Sequence, residues 1–416
     1  MNTYTRLLLT SYVLLLGTAY LWNQPPVMAQ GVLPQTIVAC KTQGTGCTFV
    51  GSTAIQQAIN EAQKSTGNVV EVRAGTYDET LTIGSRSLYI QGAGNAQTII
   101  NGSISINGLT TTVIQVEKLS IQNSAASGIR ISGFATVLLN KLKVLDHTVY
   151  GIDIRDSATV IVKASQISGN TQGIAVSSNK IFNVSNSIVA NNREVGINRT
   201  SQQMATFQVT HTVLYKNGSH GLKLTVADPY AEIMAIQNSI FMSNGGYGIS
   251  TSEDPADLFF NTNIIFQNTQ GCSDQSTICY AEGTLEEDPL LTQVAQLNMK
   301  LLEGSPGIDA GTGTDPDGSP ADIGLYGGYY ACDYDESLSY CESTPSPVNT
   351  QTPSCPLKSQ GDANCDGKIR AIDFELWRRE YHDAGRSRAP LRANFSGASS
   401  VTLADHDIWK NSFVNI

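Results

Sequence analysis

Twelve consecutive residues near the C-terminus, Asp362-Ala363-Asn364-Cys365-Asp366-Gly367-Lys368-Ile369-Arg370-Ala371-Ile372-Asp373, space oxygen donors at alternate positions. Asp362, Asn364 and Asp366 offer side-chain oxygens at positions one, three and five. Lys368 offers its backbone carbonyl at position seven, and Asp373 closes the loop at twelve. Gly367 permits the sharp turn at six, and Ile369 puts an apolar side chain at eight. An all-oxygen donor set at this spacing suits a hard divalent cation, and Ca2+ accepts six to eight such ligands in a flexible shell. Phe374, Trp377 and Tyr381 follow at helical spacing, so the loop should lead into a helix with one apolar face.

A degenerate copy lies 32 residues further on. Asn394, Ser396, Ala398, Ser400, Val401 and Asp405 stand where Asp362, Asn364, Asp366, Lys368, Ile369 and Asp373 stand in the first loop. Ala398 replaces a carboxylate and Ser399 the glycine, so the copy should bind calcium poorly. One effective site is expected, with an affinity suited to extracellular calcium, roughly 10⁻⁴ M or tighter. A module this small has a limited core, so bound metal should contribute to its folding.

A second group of charges sits upstream on a repeat. Gly128-Ile129, Gly151-Ile152, Gly173-Ile174, Gly196-Ile197, Gly221-Leu222 and Gly248-Ile249 recur every 22 to 27 residues. Before each lies a short apolar strand: Leu119-Ser120-Ile121, Leu142-Lys143-Val144, Ser165-Gln166-Ile167, Ser187-Ile188-Val189, Thr212-Val213-Leu214 and Ser239-Ile240-Phe241. A polar turn residue falls between the two strands at Asn123, Asp146, Asn170, Asn191, Asn217 and Asn244. A third run, such as Ala135 to Leu139, supplies another side. Alternating strands with Gly and Asn at the turns and no helical period predict one coil per repeat. Stacked coils bury an aliphatic column and align the turn asparagines in a ladder. The outward columns should then read Arg130, Asp153, Ala175, Asn198, Lys223, Ser250 and Ser132, Arg155, Ser177, Thr200, Thr225. This brings Arg130, Asp153, Arg155 and Asp156 into one charged patch, with Asp146 and His147 a turn away.

Both ends of such a solenoid need covers. Ile55, Ala58, Ile59 and Ala62 share a helical face between Thr53 and Gln63, which predicts an N-terminal capping helix. Gly304 to Gly311 and Ala321 to Gly328 are expected to close the other end. Asp309, Asp315, Asp317 and Asp322 could hold calcium there, though Asp315-Pro316-Asp317-Gly318 is also a strong turn signal.

Arg6 precedes an apolar run from Leu7 to Trp22, and Val27 and Ala29 fit a cleavage site, which predicts a secretory leader over residues 1–29. The run is short of the ~20 residues that a membrane anchor requires. Eight cysteines fall as neighbours, Cys40 and Cys47, Cys272 and Cys279, Cys332 and Cys341, Cys355 and Cys365, which reads as four local disulfides in an oxidising compartment, although the sequence alone leaves the connectivity open. The competing four-thiolate zinc site lacks a C-x-x-C pair. Thirty-six acidic against 26 basic residues give a net charge of -10, leaving no basic stripe for nucleic acid. Pro345, Pro347 and Pro353 among Ser and Thr mark a tether over residues 342–354.

From about residue 50 to 330 the chain resembles the right-handed parallel β-helix proteins of pectin-lyase-like type. The carriers are the cap helix followed by Val70-Glu71-Val72 and Gly75-Thr76-Tyr77, and the closing Ser305-Pro306-Gly307-Ile308-Asp309-Ala310-Gly311. The two loop-helix units after a Pro/Thr tether resemble a dockerin. Together these imply a mainly β chain: a right-handed parallel β-helix with caps over residues 30–341, then a small α-helical, EF-hand-like dockerin module over 355–416. The resemblance implies an extracellular polysaccharide setting and a cohesin-like scaffold or cell-surface partner. At the dockerin contact positions, Ala371-Ile372 and Leu403-Ala404 lack the usual hydroxyls.

Whether the chain cleaves glycan is open at this level. Cleavage needs two carboxylates at a defined separation, or in a lyase a basic residue that abstracts a proton beside a calcium site. The patch around Asp153 is the nearest approach, and alternating charges on a sheet face ordinarily just pair with one another. His220 before Gly221 is similar to the glycine-flanked histidine of polygalacturonases, whose paired aspartates and Arg-Ile-Lys segment have no counterpart in this chain. No complete catalytic motif is present, so a protein that engages polysaccharide stands beside a structural or adhesive surface protein without chemistry.

Overall fold

The computed structural model describes residues 35–64, 68–177, 181–200, 206–225, 233–251, 258–272, 283–328 and 330–334. The expected leader, tether and calcium module lie outside these residues. Among the described residues the strands form three parallel sheets of 11, 9 and 8 strands, here A, B and C. Each coil opens with its sheet A strand: coil 1 at Asn68, then Leu88, Val113, Thr136, Thr159, Ile181, Thr206, Ile233 and, for a partial ninth coil, Leu258. Coil 4 runs Thr136–Asn140 in sheet A, Lys143–Leu145 in B and Tyr150–Ile154 in C.

Neighbouring coils pair in parallel and without register shifts. Ile129, Ile152, Ile174, Ile197, Leu222 and Ile249 therefore form one inward column. All six are fully buried, and each such side chain contributes about 1.5–3 kcal/mol by leaving water. This is the parallel β-helix that the 22- to 27-residue period predicts, with the right-handed crossover such strands adopt. A charged residue also stands in an inward column. Arg199 stands where Ile131, Ile154 and Val176 stand in earlier coils, fully buried, with Nη1 donating to the Thr225 carbonyl at 3.3 Å and the guanidinium 5.8 Å from the Phe207 ring.

From coil 3 onward, each coil makes two of its turns on a single residue of positive φ. The turn from sheet A to B uses Lys118, Lys141, Ala164, Asn186, His211, Asn238 and Thr262. The turn from B to C uses Asn123, Asp146, Gly169, Asn191, Lys216, Ser243 and Gln267. The asparagine ladder sits one residue after that second column, at Asn170, Asn192, Asn217, Asn244 and Asn268. This corrects the expected ladder: Asn123, Asp146 and Asn191 are the left-handed turn residues, and only Asn170, Asn217 and Asn244 carry the stack. Each ladder Nδ2 donates to the next Oδ1, at 3.1, 2.9, 3.0 and 2.8 Å in order. The Gly-Ile repeat follows from this ladder. A Cβ on Gly173, Gly196 or Gly221 would come within 2.9 Å of the neighbouring Asn Nδ2 and 2.7 Å of the next coil's carbonyl, so only glycine fits.

At the N-terminal end, α1 (Ala54–Ala62) closes the barrel as expected, with Ala54, Ile55, Ala58, Ile59 and Ala62 fully buried. Its first turn rests on Glu79, whose carboxylate accepts the Ile55 and Gln56 N–H groups at 3.1 and 2.9 Å. A negative charge at this end also suits the helix dipole. The Cys40–Cys47 disulfide ties the adjoining loop as the spacing suggests, and Cys272 and Cys332 are disulfide-bonded as well.

The other closing segment does something different from simple end-capping. Leu285 pairs with Ile264 on the last coil, and the chain then turns back along the outside of sheet B. This strap, residues 285–328, covers Ile188, Ala190, Val213, Ile240 and Ile264, which face outward on coils 6 to 9. Met299, Ile323 and Leu325 pack onto them. The left-handed turn residues beneath hold its backbone. Asn186 Nδ2 donates to the Leu325 and Gly327 carbonyls, and Asn238 exchanges hydrogen bonds with the Thr312 N–H and C=O. Gly324, at φ +109°, passes so close to Ile240 that a Cβ would sit 2.8 Å from its Cδ1.

Candidate functional site

Among the described residues no strap covers the outer face of sheet C over coils 4 to 6. Its strands Ile129–Gly133, Tyr150–Ile154, Gln172–Val176 and Ile197–Arg199 place Arg130, Asp153, Ala175 and Asn198 side by side, as the repeat predicts. A shallow groove of about 460 Å³ lies across coils 4 to 6. It is lined by Tyr150, Asp153, Arg155, Asp156, Gln172, Ala175, Ser177, Asn198 and Thr200.

The charged patch is more ordered than a solvated pair. Asp153 is only 2% exposed, beneath two arginines that are each about half exposed. Arg130 Nε donates to Asp153 Oδ2 at 3.2 Å, and Arg155 Nε donates to both carboxylate oxygens at 3.1 Å. Hydrogen bonding to Asp153, reinforced by its charge, raises the Arg155 pKa further. Arg155 is thus held as a cation against Asp153. Asp156 accepts the Gly133 N–H at 2.9 Å. Gln172 donates to Glu194 at 2.7 Å and accepts from Asn198 at 3.1 Å, which orients the amides along the floor.

Both carboxylates facing the groove are thus engaged, Asp153 by two cations and Asp156 by a backbone amide. That arrangement suits recognition: guanidinium, amide, hydroxyl and phenol groups in fixed positions offer donors and acceptors to a polyhydroxylated ligand.

Asp146 and His147 do not join the patch. His147 is fully buried at the head of the asparagine ladder and mimics an asparagine there. Its Nε2 donates to the Ile121 carbonyl and its Nδ1 accepts the Ser124 N–H, both at 3.2 Å. Burial lowers its pKa, keeping the ring neutral. His220 stacks on Tyr247 with ring centroids 5.7 Å apart and accepts the Tyr247 N–H at Nδ1.

Turn chemistry accounts for the acidic cluster of the strap. Asp315 accepts the Gly328 and Asp322 N–H groups, Asp322 accepts the Asp309 N–H, and Asp317 accepts from Ser319. Among the described residues no three His, Cys, Asp or Glu side chains are grouped to hold a metal. The calcium ligands expected from the sequence, Asp362, Asn364, Asp366, Lys368 and Asp373, lie outside the described residues.

Two lining residues were not singled out from the sequence, Tyr150 and Gln172. The available signal was their position: each precedes the glycine of a Gly-Ile step, at Gly151 and Gly173. Once the coils close, both side chains line the groove.

A family model described as right handed beta helix region matches residues 82–225. No curated protein matches the chain. Among solved structures the chain is similar to pectate lyase Pel9A, at 10% identity and a TM-score of 0.44, over 71% of this chain and 97% of that one. It is similar to the A-module of the Azotobacter vinelandii mannuronan C-5 epimerase AlgE4, at 16% identity and a TM-score of 0.39, over 53% of this chain and 75% of that one. It is also similar to ORF18 of Geobacillus virus E2, at 15% identity and a TM-score of 0.39, over 57% of this chain. There the match spans about half of the viral chain, 52%.

Proposed function

We propose that this chain is a secreted or cell-surface β-helix protein that binds extracellular polysaccharide along sheet C. In this reading the C-terminal calcium module docks it to a scaffold or cell-surface protein. The observation that carries the binding half is the groove over coils 4 to 6, where Arg130 and Arg155 are held over a buried Asp153 beside a floor of amides and hydroxyls. The same contacts favour binding over cleavage. Hydrolysis calls for a carboxylic acid and a second carboxylate that are both able to exchange protons or attack. Asp153 and Asp156 are each occupied by other donors.

A panel of neutral and anionic polysaccharides, scored for both retention and cleavage, tests this. Retention of at least one polysaccharide without turnover is expected, and Asp153→Ala with Arg155→Ala should abolish it. Retention by no member of the panel would move the protein to the alternative of a structural or adhesive shaft. Turnover of any polysaccharide that the double variant loses would make the patch a catalytic site. The docking half is tested by calcium titration of the full chain. One calcium site is expected, lost in Asp366→Ala and retained in Asp405→Ala; two equal sites or none would overturn it.

A further inference from the structure

Leu109 and Phe134 are 60% and 54% exposed at the edge of sheet C. They hold the same place on coils 2 and 3, because Gly108 pairs with Gly133 and the Phe134 N–H donates to the Gly108 carbonyl at 2.8 Å. Beside Phe134, the Gly133 N–H donates to Asp156, which lines the groove. The apolar pair therefore continues the groove edge toward the N-terminus. Asn107, exposed on the same edge, pairs with Ser132.

Isolated exposed hydrophobic residues are ordinary on a protein surface. These two are stacked on adjacent coils, on a backbone held by its neighbours, at the end of a polar groove. A pyranose ring has an apolar C–H face and a rim of hydroxyls. A phenyl ring or a leucine complements the first, and carboxylates and amides the second.

We propose that Leu109 and Phe134 form an additional sugar subsite that takes the C–H face of a neutral pyranose, with Asp156 and Asn107 beside its hydroxyls. This deepens the groove reading and rests on it. Coils repeat every ~4.8 Å, close to the length of one pyranose unit, so a glycan reaching from coil 2 to coil 6 would span about five units. Short oligosaccharides fill the groove alone, and longer ones reach Phe134.

Calorimetric titration of the full chain with cello-, manno- and xylo-oligosaccharides, from dimer to hexamer, separates the two claims. Wild type should gain affinity from trimer to hexamer. Phe134→Ala should lose roughly tenfold for the hexamer at an unchanged melting temperature, with the trimer unaffected. Asp153→Ala with Arg155→Ala should weaken both lengths. Equal hexamer affinity in wild type and Phe134→Ala overturns the subsite and leaves the groove standing. Failure of wild type to bind any neutral series also overturns it, and adding oligogalacturonides shows whether the groove itself survives that result.

Discussion

Two outer faces of one solenoid meet different fates. On coils 3 to 5 the outward residues of sheet B are Ser120 and Gln122, Lys143 and Leu145, Gln166 and Ser168. On coils 6 to 9 they are Ile188 and Ala190, Val213 and Tyr215, Ile240 and Met242, Ile264 and Phe266. The inward residues hardly change between the halves, since the barrel needs the same filling throughout. The outward residues report what lies on top. Where they are apolar, the chain's own strap covers them; on sheet C, where they are polar and charged, the groove stays open.

The largest expected effect breaks the covered half. Ile240→Asp would bury a carboxylate against Gly324 and Ile323, costing about 3 kcal/mol or more and releasing the strap. Its counterpart on the polar half, Gln166→Asp, should stay within about 0.5 kcal/mol. Denaturant melts of the two variants make the comparison directly, and similar losses would refute it.

Asn238→Ala should cost about 2 kcal/mol, because it removes the partners of the Thr312 N–H and C=O and of Thr262 Oγ1. Hydrogen exchange should rise in residues 311–328 and remain unchanged in coils 3 to 5.

A subtler prediction concerns pH. Enclosure pushes Asp315 up to about 7, so its stabilising contribution to strap docking is full below pH 3.8 and is lost as pH rises through 7. Enclosure pushes His211 down to about 4, so its contribution is full above pH 6.5 and is lost as pH falls through 4. Between pH 4 and 6.5 the two slopes oppose each other, so each masks part of the other's pH dependence. Single variants should unmask them. His211→Asn, which installs the residue found at Asn186 and Asn238, should make strap stability fall as pH rises over this window. Asp315→Asn should make it rise. Strap hydrogen exchange at stepped pH checks both signs.

Much of this was legible in the sequence. The Gly-Ile period, the cap helix and the register of Arg130, Asp153, Ala175, Asn198, Lys223 and Ser250 all follow from alternation and spacing. At three of its six places the expected ladder falls one residue early, and at one of these Asn191 and Asn192 are adjacent and either side chain suits a turn. Backbone conformation separates them: the first takes the left-handed turn, and the second points inward. The strap was harder to foresee, yet a signal existed. The first residue of the sheet B strand changes from Ser120, Lys143 and Gln166 to Ile188, Val213 and Ile240, and an outward position that turns apolar needs a cover. The burial of Asp153 was not legible, since it depends on how two arginines fold over one carboxylate.

Hydroxyl-radical footprinting of the full chain, with and without a polysaccharide that it retains, tests the contrast between the open and the self-covered face most directly. Tyr150, in the groove, should be strongly protected by the ligand, while Tyr326 in the strap and Tyr215 beneath it keep their reactivity. Protection of the strap tyrosines with Tyr150 unchanged would contradict the assignment of sheet C as the binding face.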